Sequence, residues 1–208
     1  MGKPYYDLHF SKVDNVNIGE SKTVYIPTGS SLDEVAHIVS NSKVMNQTEF
    51  ISFAAEFDLT DEKVEPGKYI FSGRMKKKEV IYAIKNGNQE VKDVRITFNN
   101  CFGVEDMASK VAPSIESDSA AIVDYILDPK TMEKYGFRRE TIMALFLPDT
   151  YEVGDWDMTA EEFVQRMAEE YKSFWNEDRK SKAAALNLEQ SEVATLASIL
   201  EAEQSINV

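Results

Sequence analysis

The sequence is poor in the residues that bind metals and form covalent bridges. A single cysteine, Cys101, excludes an intrachain disulfide and a site built on several thiolates. Because it is a free cysteine beside Phe102, we interpret it as a small core residue and not as a nucleophile. The two histidines, His9 and His37, lie far apart and form no HExxH-type spacing. We therefore predict no metal site and no Cys/His catalysis.

Basic residues and long apolar runs are also scarce. The chain has 23 Lys and Arg against 36 Asp and Glu, which gives a formal net charge of -13 and a pI of about 4.7. A nucleic-acid binder needs a basic surface, so nucleic acid is excluded as a partner. No stretch approaches the ~18 consecutive apolar residues that span a bilayer. Residues 1–22 form a polar, extended lead-in that lacks the pattern of a secretion leader.

What remains supports a core of ordinary size, since 43% of the residues are hydrophobic. The first clear pattern is strand, helix, helix, strand. Residues 23–26 are β-branched or aromatic and predict a strand. Ser31 and Glu34 have the spacing of a capping box at the start of a helix. A second helix begins near Asn46, and a second strand covers residues 68–71.

Part of this pattern recurs further along the chain. The helix pattern of residues 32–39 matches that of residues 104–111 in most apolar and acidic positions. Each of the two follows a strand pattern, at residues 23–26 and 94–98. Two copies of one strand–helix unit are therefore predicted.

The second half is mostly helical. The spacing of apolar residues predicts one further helix in the first half, over residues 75–86, and helices in the second half over residues 118–127 and 159–178. Pro129 ends the helix over residues 118–127, and residues 146–151 form a loop at the edge of a pocket because Pro148 interrupts them. The complete pattern is typical of an α+β protein.

Aromatic residues in this half are given two roles. Phe163, Tyr171 and Trp175 lie on one face of the helix over residues 159–178, which is typical of core packing. Trp156 lies in a polar loop, where its ring is a candidate for stacking on a sugar.

The last helix, beginning near Asn187, carries two oddly placed carboxylates. It is apolar over much of its girth, which predicts burial on more than one side. Glu201 falls within an apolar arc beside Ala194 and Ala197, and Glu203 also has apolar neighbours. A poorly solvated carboxyl has a raised pKa, as a general acid requires. The alternative is a glutamate at a helix end that reaches water or pairs with Lys or Arg.

Two segments of the sequence resemble the endolytic murein transglycosylase family (YceG-like, MltG). They are Phe146-Leu147-Pro148-Asp149-Thr150-Tyr151 and Leu196-Ala197-Ser198-Ile199-Leu200-Glu201-Ala202-Glu203. The upstream residues 25–32, with Gly67-Lys68-Tyr69, are similar to the LysM-like region of that family. The resemblance covers residues 23–208. It implies an N-terminal LysM-like β-α-α-β unit over residues 23–92, and the first, mostly helical part of the catalytic domain over residues 93–208.

The resemblance implies a function and a site. The family cleaves the MurNAc–GlcNAc bond within peptidoglycan, leaves 1,6-anhydro-MurNAc ends and so terminates nascent glycan strands. Glu201 matches its catalytic glutamate, and no cofactor is implied. Candidate substrate-binding residues are Asp149, Thr150, Ser198, Glu203 and Gln204. Asp149 after a proline is equally typical of a turn.

The resemblance also carries expectations about context. In the family a lysine and a threonine stand at the positions of Ala202 and Gln204. A single-pass N-terminal anchor and a further part of the catalytic domain belong to the family, so we expect this chain to be a fragment of a protein of the bacterial cell membrane, with the domain on its outer (periplasmic) side. Peptidoglycan strands and cell-wall synthesis proteins are the implied partners.

Two other functions are weighed beside this one. A non-catalytic peptidoglycan-binding or scaffold protein would use only the LysM-like unit. A lyase with pyridoxal phosphate needs a Schiff-base lysine in a phosphate-binding setting, and the sequence presents no such setting.

Overall fold

A computed structural model describes residues 15–16, 18–88, 94–99 and 101–206. The chain forms two compact units. Unit 1 contains the described residues up to Val94 together with Gly154–Asp157, and unit 2 contains Arg95–Val153 and the chain from Met158 onward. In the described part of the chain, no helix has both the length and the apolar character of a membrane span.

Unit 1 is built around an antiparallel strand pair. Its elements are β1 (Lys22–Ile26), α1 (Leu32–Asn41), α2 (Gln47–Glu56), a 3-10 turn (Asp61–Lys63), β2 (Gly67–Phe71) and α3 (Lys77–Lys85). Val24 pairs with Tyr69 in the register of β1 and β2. The predicted strand–helix–helix–strand order is confirmed, as is the capping box of Ser31 and Glu34 at the start of α1.

The core of unit 1 lies between the inner face of the strand pair and the apolar faces of its helices. Fully buried residues from both include Ile26, Val39 and Phe50. Val16 and Ile18 are also buried there, although the sequence places them in a polar lead-in. Residues 1–14 and 17 of that lead-in lie outside the described residues. The apolar side chains at 16 and 18 therefore belong to the core of unit 1.

Unit 2 is mostly helical around a second antiparallel pair. Its elements are β3 (Arg95–Phe98), α4 (Val104–Val111), a 3-10 turn (Ala112–Ser114), α5 (Ser119–Leu127), α6 (Pro129–Tyr135), a 3-10 turn (Ile142–Leu145), β4 (Asp149–Glu152), α7 (Ala160–Phe174), α8 (Glu177–Ala185) and α9 (Gln190–Ile206). Strands β3 and β4 pair antiparallel. The predicted α+β fold class, with a mostly helical second half, is confirmed.

Around Pro129 and Pro148 the structure of unit 2 differs from the sequence prediction. Pro129 ends α5 but also begins α6, because proline fits the first helical position and Asp128 caps that helix through its side chain. The segment predicted as a loop at residues 146–151 contains β4, which starts directly after Pro148. Proline therefore precedes the strand and removes no hydrogen bond from it.

The helix predicted over residues 159–178 is two helices. Helix α7 ends at Phe174, and Asn176 caps α8 by accepting a hydrogen bond from the Arg179 amide at 3.0 Å. Phe163 and Trp175 are buried as predicted. Cys101 is half-buried and Phe102 is 100% exposed, so the expectation of a core position for Cys101 is wrong.

The two strand–helix copies predicted from the sequence have matching structures. Val24 and Ile26 of β1 are buried, as are Ile96 and Phe98 of β3. Val24 pairs with Tyr69, and Ile96 pairs with Tyr151. The equivalence thus extends to β2 and β4, for which the sequence comparison predicted nothing.

The tyrosines of these pairs make the same hydrogen bond. The Tyr69 hydroxyl donates to the Glu65 carbonyl at 2.7 Å, and the Tyr151 hydroxyl donates to the Leu147 carbonyl at 2.5 Å. A proline follows each of these carbonyl groups. Each hydrogen bond therefore holds the segment that precedes the strand against the strand.

Candidate active site

Helix α9 carries most of the residues that the sequence proposes for the site. Its first turn is closed by the Glu192 carboxylate, which accepts a hydrogen bond from the Glu189 amide at 2.7 Å. The helix begins at Gln190 and not near Asn187, because Asn187 has a φ of 56° and sits in a left-handed turn after α8. Helix α9 packs against the 3-10 turn Ile142–Leu145. That turn leads into Pro148 and β4.

Glu201 is exposed on α9, together with Glu203 and Gln204. The prediction that this helix is buried on more than one side is wrong for the described chain. Leu196, Ile199 and Leu200 are exposed, Leu200 by 56%. The helix therefore presents the Glu201 carboxyl on an open surface that is rich in apolar side chains.

Ser198 lies one turn before Glu201 and is also exposed. Its hydroxyl donates to the Thr195 carbonyl at 2.8 Å, and the Thr195 hydroxyl donates to the Ser191 carbonyl at 2.9 Å. The Ser198 hydroxyl proton is thus directed to the backbone of its own helix, and its oxygen is left to accept. As a ligand contact, Ser198 would act mainly as an acceptor.

Asp149 and Thr150, the other proposed contacts, lie on β4 in unit 2. Both are exposed, and the Thr150 hydroxyl lies 2.9 Å from the Thr97 hydroxyl on β3. The Asp149 side chain accepts a hydrogen bond from the Thr150 amide at 2.7 Å. Asp149 is therefore the first residue of a strand, and the alternative that it serves only as a turn former is wrong.

These two residues line a shallow depression of about 400 Å³ beside the outer face of the strand pair. Its wall is formed by β3, β4 and α7: Arg95, Asp149, Thr150, Tyr151, Glu152, Arg166 and Glu170. Arg95 pairs with Glu152 at 2.8 Å, and Arg166 pairs with Glu170 at 2.5 Å. Because both guanidinium groups already have carboxylate partners, the wall of the depression is polar and the charges of these two pairs balance.

Sequence reasoning missed Arg95, Glu152, Arg166 and Glu170. Arg95 and Glu152 are brought together only by strand pairing across a long separation in sequence. The arginine and the glutamate on α7 could have been found, since they are four residues apart on a predicted helix. Ser198, Glu201, Glu203 and Gln204 lie on α9 and are not part of this wall.

Tyr151 is the buried member of the motif on β4. Burial raises the pKa of Tyr151 to about 12, with a smaller contribution from the nearby Asp149 and Glu170 carboxylates. Its ring stacks on Phe98 with a centroid distance of 5.4 Å. The Tyr151 phenol therefore remains protonated at neutral pH, and its ring packs on Phe98 in the core of unit 2.

Within the described ranges, no cluster of three or more His, Cys, Asp or Glu side chains is arranged to hold a metal ion. The exposed carboxyl groups of α9 can donate a proton, accept a proton and form hydrogen bonds.

Comparisons with known proteins identify the family. The sequence model of the YceG-like family matches residues 24–207. A crystal structure described as that of a YceG-like protein of Listeria monocytogenes matches with a TM-score of 0.43 and 16% identity. The match covers 81% of this chain and 60% of the Listeria chain, so this chain spans about three fifths of the length of the Listeria chain. A comparison with curated proteins finds no match. With a family match over nearly its whole length, the chain belongs to the YceG-like family.

Proposed function

We propose that this protein is an endolytic lytic transglycosylase that cleaves MurNAc–GlcNAc bonds in nascent peptidoglycan. The products carry 1,6-anhydro-MurNAc ends, and the reaction terminates glycan strands. The observation that carries the proposal is the position of Glu201: it is the first acid of the family motif, within the matched residues 24–207, and it is displayed on the open surface of α9.

In the proposed reaction Glu201 acts first as acid and then as base. Its carboxyl protonates the glycosidic oxygen as the bond from the MurNAc anomeric carbon to that oxygen breaks. The resulting carboxylate takes the proton of the sugar's 6-hydroxyl while the 6-oxygen bonds to the anomeric carbon. The proton returns to Glu201 and no water is consumed. One carboxyl group is sufficient, unlike the two of ordinary glycoside hydrolases.

Bound glycan would supply the environment that this chemistry needs. A general acid at neutral pH needs a raised pKa, which comes from desolvation. In the described chain Glu201 is exposed next to the exposed Leu200 and one turn from Leu196 and Ala197. A glycan or a protein segment laid over these apolar side chains would exclude water around the carboxyl.

The remaining residues of the motifs are proposed as contacts and not as catalysts. Glu203 and Gln204 can hydrogen-bond sugar hydroxyls or acetamido groups from the end of α9. In this proposal Asp149 and Thr150 make such contacts from β4. We further propose action at the outer side of the bacterial cell membrane, where nascent peptidoglycan and the proteins that synthesise it are found.

Digestion of purified peptidoglycan by the full-length protein tests the proposal. Glu201→Gln removes the titratable proton but keeps the shape of the side chain, so we expect anhydro-ended products to fall at least about 10³-fold. Mass spectrometry identifies these products because they are lighter than hydrolysed ends by one water. Glu189→Gln is the matched control, because this exposed glutamate precedes α9 and is outside the proposed site, and it should retain wild-type activity. Anhydro products at wild-type levels from Glu201→Gln would reject the assignment.

A non-catalytic peptidoglycan-binding protein is the second candidate. The observation that favours it is the exposure of the Glu201 carboxyl, which the described chain does not desolvate. That function predicts glycan binding without cleavage by the wild-type protein, together with equal binding by Glu201→Gln.

A further inference from the structure

The outer face of the strand pair in unit 1 carries an aromatic platform, which we define as Tyr25, Lys68 and Trp156. Tyr25 is 41% exposed on β1, and its register partner on β2 is Lys68. The Trp156 ring lies 5.0 Å from the Tyr25 ring, centroid to centroid, with an angle of 49° between their planes. The Lys68 ammonium lies 5.8 Å from the Tyr25 ring centre. Two rings and a cation thus lie side by side at the surface.

The fold does not require aromatic residues at this place. In unit 2 the position equivalent to Tyr25 is Thr97, and the one equivalent to Lys68 is Thr150. These threonines face outward and lie within hydrogen-bond distance of each other. The same strand pair is therefore built without rings or a cation on its outer face, so core packing does not explain their presence in unit 1.

The position of Trp156 is a second reason to look for a ligand. It lies in the segment Gly154–Asp157, which follows β4 of unit 2 in the chain but belongs to unit 1. Trp156 is half-buried, whereas the preceding Asp155 is exposed. The chain thus leaves unit 2 for four residues and places an indole ring against Tyr25.

We propose that the aromatic platform binds the glycan strand of peptidoglycan at a place distinct from Glu201. Pyranose rings have apolar C–H faces that pack on aromatic rings, and indole is the largest ring available for this. The stem peptides carry carboxylates, which the Lys68 ammonium complements in a chain of net charge -13. The exposed Asp155 carboxylate can accept hydrogen bonds from sugar hydroxyls.

The proposal rests on the proposed function only for the identity of the polymer. Two separate contacts along one strand would raise the effective concentration of glycan near the catalytic carboxyl. Substitutions in the platform should therefore raise the KM for peptidoglycan and leave kcat nearly unchanged. Glu201→Gln should do the reverse: it abolishes turnover and leaves binding intact.

Tryptophan fluorescence provides a direct readout, because the sequence has only one other tryptophan. That residue, Trp175, is 5% exposed in unit 2, and Trp175→Phe removes its signal. In this background we expect chitotetraose, and more strongly soluble glycan strands, to change the Trp156 emission saturably. An emission that stays constant over the whole titration would overturn the proposal.

Sedimentation with insoluble peptidoglycan is the second measurement and needs no fluorescence. Trp156→Ala and Tyr25→Thr should each weaken binding about 10-fold, the latter with the residue that unit 2 already uses. Tyr82→Thr is the matched control, since Tyr82 lies on α3 of the same unit and is exposed to the same degree, 42%. Its binding should equal that of the wild type.

The outcomes separate this proposal from the proposed function. Equal weakening by Tyr82→Thr, or none by the platform variants, rejects the platform whatever the activity of Glu201. Weakened binding together with an active Glu201→Gln rejects the catalytic assignment and keeps the platform. Emission that responds to an unrelated wall protein but not to glycan identifies the platform as a protein-binding surface and rejects our proposal.

Discussion

Units 1 and 2 each contain an antiparallel strand pair with an apolar inner face, and they differ in the residues on the outer, solvent-facing side of that pair. In both, a buried tyrosine on the second strand pairs with a buried aliphatic residue on the first, Tyr69 with Val24 and Tyr151 with Ile96. The outer faces differ. Unit 1 presents the aromatic platform, and unit 2 presents Arg95 paired with Glu152 beside two threonines.

The helix that follows the first strand is also present in both units, but it begins with a different capping residue in each. In unit 1, Ser31 caps α1, and hydrogen bonds from Ser31, its backbone amide first, hold the pKa of Glu34 below its ordinary value. In unit 2 the cap is Gly103, which has no side chain to offer. Asp106 nevertheless stands at the position of Glu34, and the Phe102 amide, with a lesser contribution from Lys110, lowers the pKa of its carboxyl.

The comparison teaches which positions are constrained by packing. Inward positions keep their apolar character because a cavity or a polar atom there costs several kcal/mol. Outward positions are free to change because water solvates whatever stands there. Differences on the outer face are therefore the place to look for function.

The largest effect is expected from equivalent core truncations. Phe98→Ala removes a ring that packs on Tyr151 and Phe163, so we expect a loss of about 3–5 kcal/mol in the free energy of unfolding. Ile26→Ala, its counterpart in unit 1, should cost about 2–4 kcal/mol. Hydrogen exchange read by mass spectrometry assigns each loss to its own unit. Phe102→Ala, at a fully exposed ring, should change little, and a large loss there would contradict the comparison.

Alkaline pH should destabilise both units through their buried tyrosines. An unfolded tyrosine has a pKa of about 10, whereas burial raises the pKa of Tyr151 to about 12. The contribution is complete below pH ~10 and is lost as the pH rises to about 12. Because water screens part of the interaction, we expect the loss to be no more than about 2 kcal/mol. Burial also raises the pKa of Tyr69. Tyrosine absorbance near 295 nm, followed with far-UV circular dichroism, should show unfolding and ionisation together. Ionisation of every tyrosine near pH 10 without unfolding would contradict the prediction that burial raises the pKa of these tyrosines.

Removal of the two tyrosine hydroxyls sharpens the comparison. Tyr69→Phe and Tyr151→Phe each delete one hydrogen bond to the carbonyl four residues earlier. We expect each to cost about 1 kcal/mol, measured by chemical denaturation with unit-resolved hydrogen exchange. Tyr82→Phe, at an exposed hydroxyl, serves as the control. A cost in one unit but not in the other would show that the two hydrogen bonds are equivalent in geometry only.

The smallest effects concern the helix caps. Ser31→Ala should destabilise α1 by about 1 kcal/mol, because the amide of Glu34 loses its acceptor. Gly103→Ser should stabilise α4 by a few tenths of a kcal/mol, since glycine is already an acceptable cap and the extended φ of Gly103 suits any residue. Thermal unfolding with site-resolved exchange measures both. If Gly103→Ser stabilised α4 by as much as Ser31→Ala destabilises α1, the Asp106 carboxylate would contribute nothing to the capping of the N-terminus of α4.

Much of the fold was predictable because its signals are local. The capping residues Ser31 and Asn46 and the spacing of Val35, Ala36 and Val39 are properties of short segments. The second strand of unit 2 was missed because Pro148 was weighed as a breaker of residues 146–151. Only the partner strand β3 shows that the pairing starts after it. The start of α6 was missed because one proline can both end a helix and begin the next.

The candidate site was predictable only in part. The carboxylate on α9 was found from its motif, but its exposure was not, because helical periodicity indicates which face is apolar and not whether another element covers it. Arg95, Glu152 and the ring of Trp156 against Tyr25 depend on contacts between distant segments. No local pattern in the sequence encodes such contacts.

The excursion of Gly154–Asp157 into unit 1 bears on how such a protein can be dissected and how it evolves. A gene segment that ends after Val94 encodes the strands and helices described for unit 1 but leaves out the indole that packs on Tyr25. Recombination at that boundary would join the first unit of one relative to a tryptophan loop from another. Residues 25 and 156 are therefore expected to be inherited as a pair, although the whole second strand–helix copy lies between them.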